Sequence, residues 1–229
     1  MLEKTISFLN ELGRNNFREW FEDHKEVYLE AKAEFDEFIF TLIPRLSALD
    51  PFLGMPEVRN CTYRIYRDIR FSKDKTPYKQ HMAAYIARGG RNSPFAGYYF
   101  HLEPLSTSFC SGGIYCPDKN VLRAIREEVD GSWDEFNGLI TESNFWSHYQ
   151  WFESKKLKTA PKGFSKTSPA LDWLRRSDFC FFHPLTCGDW LSEDLPDLVT
   201  EHFKGMIPVN GFFNRAIRME QEEAAHYPA

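Results

Sequence analysis

Residues 81–116 read HMAAYIARGGRNSPFAGYYFHLEPLSTSFCSGGIYC, and this stretch decides the fold class. It contains three parts rich in residues that favour strands, which are His81 to Arg88, Tyr98 to Glu103 and Thr107 to Cys116. The two connections between them carry Gly and Pro and are too short for crossover helices. The stretch therefore predicts an antiparallel meander.

In the segment before this stretch, apolar and polar residues alternate with a period of two. From Cys61 to Phe71 the pattern predicts one more strand, which extends the sheet to about residues 61–116. On that strand Arg67 would share a face with four apolar or aromatic residues, namely Tyr63, Ile65, Ile69 and Phe71.

Helical patterns flank the predicted sheet on both sides. Ile6 to Leu12 predict a first helix that Gly13 ends, and Asn16 with Glu19 resembles a capping box for the next. Apolar residues from Tyr28 to Leu49 recur at helical spacing, and Pro44 is expected to kink that helix or end it early.

Helices are also expected after the sheet, together with one more strand. The predicted helix starts and segments are Asp118 as cap of Asn120 to Val129, Ser132, Asn144, Ser168-Pro169, Ser192 to Lys204 and Pro208 to Glu220. The predicted last strand is Phe179 to Leu185. The fold class is α+β, with one domain over residues 1–229 and a frayed tail over 221–229.

Composition limits the class of protein. The 229 residues are 42 % hydrophobic and 16 % aromatic, which is enough for a packed core, and five cysteines without a Cys-x-x-Cys pair predict free thiols. No window has the length of a membrane span, and the first residues lack the pattern of a secretory signal. We therefore expect a cytoplasmic protein with no membrane partner.

Positive charge is concentrated in one segment. Between Arg59 and Arg91 nine basic residues accompany two acidic ones, in a chain of net charge −5. Such a distribution favours a local anion site over a broad nucleic-acid surface, so nucleic acid is a disfavoured partner. The residues predicted to bind a small anion are Arg64, Arg67, Asp68, Arg70, Lys73, Lys75 and Lys79.

Arg67 is the centre of this prediction. A guanidinium on an apolar face needs an acceptor, which is either a bound anion or a carboxylate of the fold itself. If the acceptor is an anion, Arg67, Arg70, Lys73 and Lys79 are expected to converge on it. The alternative interpretation, an ion-pair network that serves the fold, stays open at this point.

The remaining motifs give weaker evidence of a functional site. No histidine spacing matches a metal motif, so neither a metal nor a cofactor is predicted. His101 and Glu103 share a strand face and fit a base with its orienting carboxylate, although a structural polar pair fits equally. Gly112-Gly113 lacks the lysine of a phosphate loop, and the aromatic residues 145–152 are interpreted as helical core.

Several motifs resemble those of a bacterial family, the proteins with domain of unknown function 2461. The longest is Tyr66 to Lys79, YRDIRFSKDKTPYK, and shorter matches are residues 15–21, 112–117 and 161–164. The resemblance covers nearly the whole chain. It implies a soluble bacterial-type protein but no activity and no catalytic residues.

The sequence thus predicts a protein that binds a small anionic or phosphorylated ligand, and this prediction includes an enzyme acting on such a ligand. The alternative is an interaction module for single-stranded nucleic acid or for an acidic protein. This alternative rests on the aromatic residues that lie among the basic ones, because such rings stack on nucleic-acid bases. They are Tyr66, Phe71 and Tyr78.

Overall fold

The computed structural model describes residues 1–141, 145–152 and 155–226. The chain forms two compact units, each built from three separate segments. The first unit contains residues 1–92, 99–110 and 184–204. The second contains the described parts of 93–98, 111–183 and 205–229.

Helices dominate the described chain. The first four are α1 (Glu3–Arg14), α2 (Arg18–Asp23), α3 (Lys25–Leu49) and α4 (Val58–Cys61), with a short 3-10 turn at Pro51–Leu53. The next four are α5 (Lys119–Gly131), α6 (Trp133–Thr141), α7 (Phe145–His148) and α8 (Leu171–Leu174). The last three are α9 (Cys187–Leu191), α10 (Leu195–Lys204) and α11 (Ile207–His226).

Five strands form one antiparallel sheet, in the order β1-β2-β3-β5-β4. They are β1 (Met82–Ile86), β2 (Gly97–Leu102), β3 (Ser108–Ile114), β4 (Gln150–Trp151) and β5 (Phe179–Leu185). The first three are neighbours in chain order, which confirms the meander and the α+β class. The short strand β4 was not predicted.

The strand predicted over Cys61 to Phe71 is wrong. Cys61 ends α4, and the following residues make only isolated bridges, Thr62 with Ala84 and Tyr66 with Tyr78. The register shifts by two residues between these bridges, so no continuous ladder forms. Phe71 is 95 % exposed, so the expected apolar face ends before it.

Two helix-end predictions need correction. Gly13 lies inside α1, which continues to Arg14, and a Cβ at residue 13 would come within 2.3 Å of Leu105 Cδ1. The glycine thus permits close packing rather than ending the helix. Asn16 does not cap α2, because Phe17 holds the N-cap position and no side chain bonds there.

Helix α3 continues through Pro44 to Leu49, so the expected early end is wrong. Pro44 lies on the exposed face of the helix, where water can reach the carbonyl that a proline leaves without a donor. Buried Leu42, Ile43 and Leu46 pack on both sides of it. Tertiary packing therefore outweighs the local cost of the proline.

The later helices follow most of the sequence signals, but α8 begins at Leu171 with Ala170 as its N-cap, so the start predicted at Ser168-Pro169 is wrong. Asp118 accepts hydrogen bonds from the backbone of Asn120 and Val121 at the start of α5, as predicted. Helix α11 continues to His226, six residues past its predicted end at Glu220 and into the predicted tail. The helix start predicted at residue 144 and residues 227–229 of the tail lie outside the described chain. In the aromatic stretch only Phe145–His148 is helical, because the chain then pairs as β4 with β5.

All five cysteines are free thiols, as predicted. Cys61, Cys110 and Cys180 are buried, whereas Cys116 and Cys187 are exposed. Among the residues that the structure describes, no helix has the length and apolar character required to cross a membrane.

Candidate functional site

A charged loop of the first unit begins and ends at two backbone contacts. Arg67 N donates to Pro77 O at 2.9 Å, and Lys79 N donates to Ile65 O at 2.8 Å. These bonds flank the bridge between Tyr66 and Tyr78, so residues 67–77 form a closed loop with a paired base. We call residues 67–77 the charged loop.

Asn16 fastens the base of this loop to the N-terminal helices. Its Nδ2 donates to Tyr78 O at 2.9 Å, and Tyr78 N donates to Asn16 Oδ1 at 3.1 Å. The side-chain amide thus takes the place of a strand neighbour for Tyr78. The Tyr78 ring also stacks on buried Phe21 of α2, with ring centres 3.9 Å apart.

Arg67 is satisfied inside the charged loop. Its Nη1 donates to Asp74 Oδ2 at 2.5 Å and to Thr76 O at 3.1 Å, and it also bonds the Thr76 hydroxyl. The pKa of Asp74 falls to about 2, because the Thr76 backbone N–H, then Arg67, then the Thr76 hydroxyl donate to its carboxylate. Arg67 therefore has the internal carboxylate partner that the sequence left open.

Two more of the predicted residues bind each other. Arg70 donates to Asp68 through Nε at 2.9 Å and Nη2 at 2.6 Å, and both side chains are exposed. Lys75 Nζ donates to Ile69 O at 2.9 Å. Arg67 and Arg70 thus bind separate carboxylates instead of one shared acceptor.

The remaining cations among the predicted residues are Arg64, Lys73 and Lys79. Within the described chain none of the three forms a salt bridge, although the positive charge of Arg64 contributes to lowering the pKa of Asp68, after the hydrogen bonds from Arg70. Arg64 and Lys73 are exposed, but Lys79 is half-buried, and its Nζ lies 5.4 Å from the centre of the Tyr63 ring. The pKa of Lys79 is lowered, first by burial and second by the positive charge of Arg64.

Two histidine rings lie together near Lys79, one of them only two residues after it in the sequence. The rings of His81 and His101 have centres 4.2 Å apart, and His101 Nε2 lies 3.0 Å from Glu103 Oε2. One ligand atom each from His81, His101 and Glu103 lies within 4.8 Å of the others. We call Arg64, Lys79, His81, Tyr99, His101 and Glu103 the His81 cluster.

Hydrogen bonding fixes the protons of His101. A carboxylate only accepts, so Nε2 carries the hydrogen that is donated to Glu103. Nδ1 is then the acceptor for the Tyr99 hydroxyl, at 3.0 Å. The ring also stacks on Phe109 at 4.7 Å, so both its position and its tautomer are set.

Both imidazoles are neutral at pH 7. Burial lowers the pKa of His101 to about 4. The pKa of His81 also falls to about 4, through burial first, then His101, with a further contribution from Lys79. Neutral imidazole is the form that accepts a proton or binds a metal ion, so the cluster has that chemistry available.

The sequence found part of this cluster. His101 and Glu103 were candidates as neighbours on one strand face, and Lys79 was a candidate anion ligand. His81 and Tyr99 were missed. The signal that could have found His81 is topological, because antiparallel pairing places the beginning of β1 beside the end of β2.

The chain belongs to the family described as conserved hypothetical protein (DUF2461), whose model matches residues 4–212. No curated protein and no solved structure matches the chain. The family membership confirms the resemblance seen in the sequence motifs.

Proposed function

We propose that this protein binds a small anionic or phosphorylated ligand at Lys79 and Arg64, beside the two histidines of the His81 cluster. One observation carries the proposal. Lys79 is half-buried, and in the described structure its ammonium group meets an aromatic ring but no carboxylate. A desolvated cation of this kind is stabilised when an anion binds to it.

The surroundings of Lys79 favour an anion over any other ligand. Arg64 is close enough to lower the pKa of Lys79, so the two positive charges repel each other without a ligand. An anion placed between them relieves that repulsion and accepts charge-assisted hydrogen bonds from both groups. Arg67 and Arg70 have their own carboxylates and are not needed for this site.

The cluster also supports chemistry on such a ligand. His81 follows Lys79 by two residues, and its neutral imidazole is available to accept a proton from a bound molecule. Glu103 orients His101 through the bond at 3.0 Å. An enzyme that acts on a small phosphorylated or carboxylated substrate fits this arrangement.

The test is thermal unfolding with inorganic phosphate or pyrophosphate, in buffer that contains EDTA so that metal ions do not contribute. Ligand binding to the folded state should raise the Tm of the parent protein, and the increase should grow with the logarithm of the ligand concentration above Kd. Lys79→Met should lose most of that increase. Lys73→Met is the matched control, because it removes the same charge from an exposed side chain of the charged loop.

Equal Tm increases in the parent and both variants would refute the proposal, because a nonspecific salt effect does not depend on Lys79. A loss with Lys73→Met but not with Lys79→Met would move the anion to the charged loop and also contradict it. Circular dichroism of each variant confirms that the comparison is made between folded proteins.

A second candidate function follows from Phe71. This ring is 95 % exposed at the tip of the charged loop, and the Arg70 guanidinium lies 5.9 Å from its centre. Aromatic rings among cations stack on the bases of single-stranded nucleic acid. We propose this as the alternative function of the loop.

Fluorescence anisotropy with a labelled single-stranded oligonucleotide tests the alternative. Affinity should fall steeply between ~50 and ~200 mM salt, and Phe71→Ala should weaken binding by about 1 to 3 kcal/mol. Phe40→Ala is the control, because Phe40 of α3 is also exposed, at 67 %. Absence of binding by the parent at low salt excludes this function.

A further inference from the structure

We infer that His81, His101 and Glu103 form a binding site for one divalent transition-metal ion, of the kind that zinc, manganese, cobalt and iron represent. The inference deepens the proposed function, because the ion would lie in the same cluster as Lys79. It rests on the positions of three ligand groups in the first unit, whose ligand atoms all lie within 4.8 Å of one another.

The donor set matches such ions. Two imidazoles and one carboxylate are the ligand types of zinc and non-haem iron sites, whereas magnesium and calcium prefer oxygen ligands alone. Donors around a tetrahedral ion with bonds of about 2.0 to 2.1 Å lie about 3.3 Å apart. The three ligand atoms lie within 4.8 Å of one another, so each separation has to shorten by at most about 1.5 Å to reach that spacing.

The carboxylate of Glu103 gives an independent reason. Its side chain is 24 % exposed, and in the described part of the chain no lysine or arginine pairs with it. Its side-chain partner is an imidazole of His101, itself 8 % exposed. A partly buried carboxylate without a cation costs free energy, and a divalent ion supplies the missing positive charge.

The surroundings orient the ligands as known metal sites do. Tyr99 holds the other nitrogen of the His101 ring at 3.0 Å, which is the role of an outer partner of a metal ligand. When Nε2 binds an ion, its hydrogen moves to Nδ1, and Nδ1–H then donates to the Tyr99 oxygen. The tyrosine hydroxyl serves both tautomers, so it need not move away when an ion enters.

Three protein ligands leave at least one coordination position open. Sites with an open position are those where a metal ion binds water or substrate, whereas structural zinc sites are closed by four protein ligands. Lys79 lies two residues before His81 and carries a positive charge toward the cluster. The ligand class for the open position is therefore an anion, such as a phosphate or carboxylate group.

The experiment measures metal content without added anion. Protein stripped with EDTA is titrated with Co²⁺ in phosphate-free buffer, and bound ion is counted after gel filtration and through the visible absorption of protein-bound Co²⁺. The parent should bind one ion per chain. His101→Ala and Glu103→Gln should each lower the affinity at least tenfold, by removal of a ligand.

Two controls keep the test decisive. His226→Ala removes an exposed histidine of α11 and should leave the affinity unchanged. Glu103→Gln keeps the size of the side chain and an oxygen that accepts from His101, so it decides the question if His101→Ala does not fold. No bound ion in the parent, or full affinity in Glu103→Gln, would overturn the inference.

The two proposals fail separately. Phosphate that raises the Tm in EDTA, together with no binding of Co²⁺, supports the anion site and refutes the metal site. Binding of Co²⁺, together with no effect of phosphate on the Tm at any metal content, supports the metal site and refutes the anion site.

Discussion

The ammonium group of Lys79 lies 5.4 Å from the centre of the Tyr63 ring. An aromatic face stabilises a cation by about 0.5 to 2 kcal/mol, which is less than a buried carboxylate can supply. In the described structure this half-buried lysine has no carboxylate partner, so its charge is incompletely compensated when no ligand is bound.

Lys79→Met should therefore stabilise the ligand-free protein, by about 0.5 to 1 kcal/mol. Methionine keeps an apolar stem against the Tyr63 ring and removes a desolvated charge. Urea unfolding with an unchanged m value measures the effect. Lys73→Met should stay within about 0.5 kcal/mol of the parent, and a loss above that size in Lys79→Met would contradict the prediction.

Asn16→Ala should destabilise the protein by about 1 to 3 kcal/mol, because two backbone groups of Tyr78 lose their partners. The charged loop should also open, so trypsin should cleave after Lys73 or Lys75 faster than in the parent. Asn15→Ala is the neighbouring control, since its side chain makes one bond to Glu11 O. Equal effects of the two variants would show that the link to Tyr78 is unimportant.

Asp74 should stay ionised to unusually low pH. Its pKa falls from 3.8 to about 2, so its bonds to Thr76 and Arg67 support the loop above pH 3.8 and are lost as the pH falls through about 2. NMR titration of the side-chain carboxyl measures the midpoint. Thr76→Val should raise that midpoint, because one donor to the carboxylate is removed. A midpoint near 3.8 in the parent would contradict the geometry.

Two glycines of the second unit should respond with opposite signs. Gly113 has φ of 109°, and a Cβ there would come 1.9 Å from Phe179 O, so Gly113→Ala should cost at least about 3 kcal/mol. Gly138 in α6 has open space around it, so Gly138→Ala should gain about 0.4 to 1 kcal/mol. Urea unfolding of both variants checks the two signs together.

The sequence predicted the elements whose patterns agree with their packing. The strand-favouring residues between 82 and 114 correspond to β1, β2 and β3, and the spacing from Tyr28 to Leu46 corresponds to the buried face of α3. The pattern failed for Cys61 to Phe71, where alternation continues but the chain leaves its partner at Tyr66. A local period shows which side chains share a face, not whether a neighbour is present.

The candidate site was predictable only in part for the same reason. Charge density drew attention to Arg67 and Arg70, yet Asp74 and Asp68 of the same loop take up both guanidinium groups. Lys79 lies outside the charged loop, because its backbone N–H is bonded to Ile65 O at the base of that loop. His81 lies beside His101 because β1 and β2 are antiparallel neighbours in the sheet. The spacing of the two histidines along the sequence does not reveal this contact.

The segmentation of the first unit has a consequence for biosynthesis. Helix α3 leaves the ribosome before α10, which carries its ion-pair partner Asp197 and lies within the last segment of that unit. Translation must reach residue 204 before the unit is complete, so the apolar surface of its earlier segments stays open to chaperones until then. A stop codon after residue 183 would remove the last segment of the first unit and leave that unit incomplete.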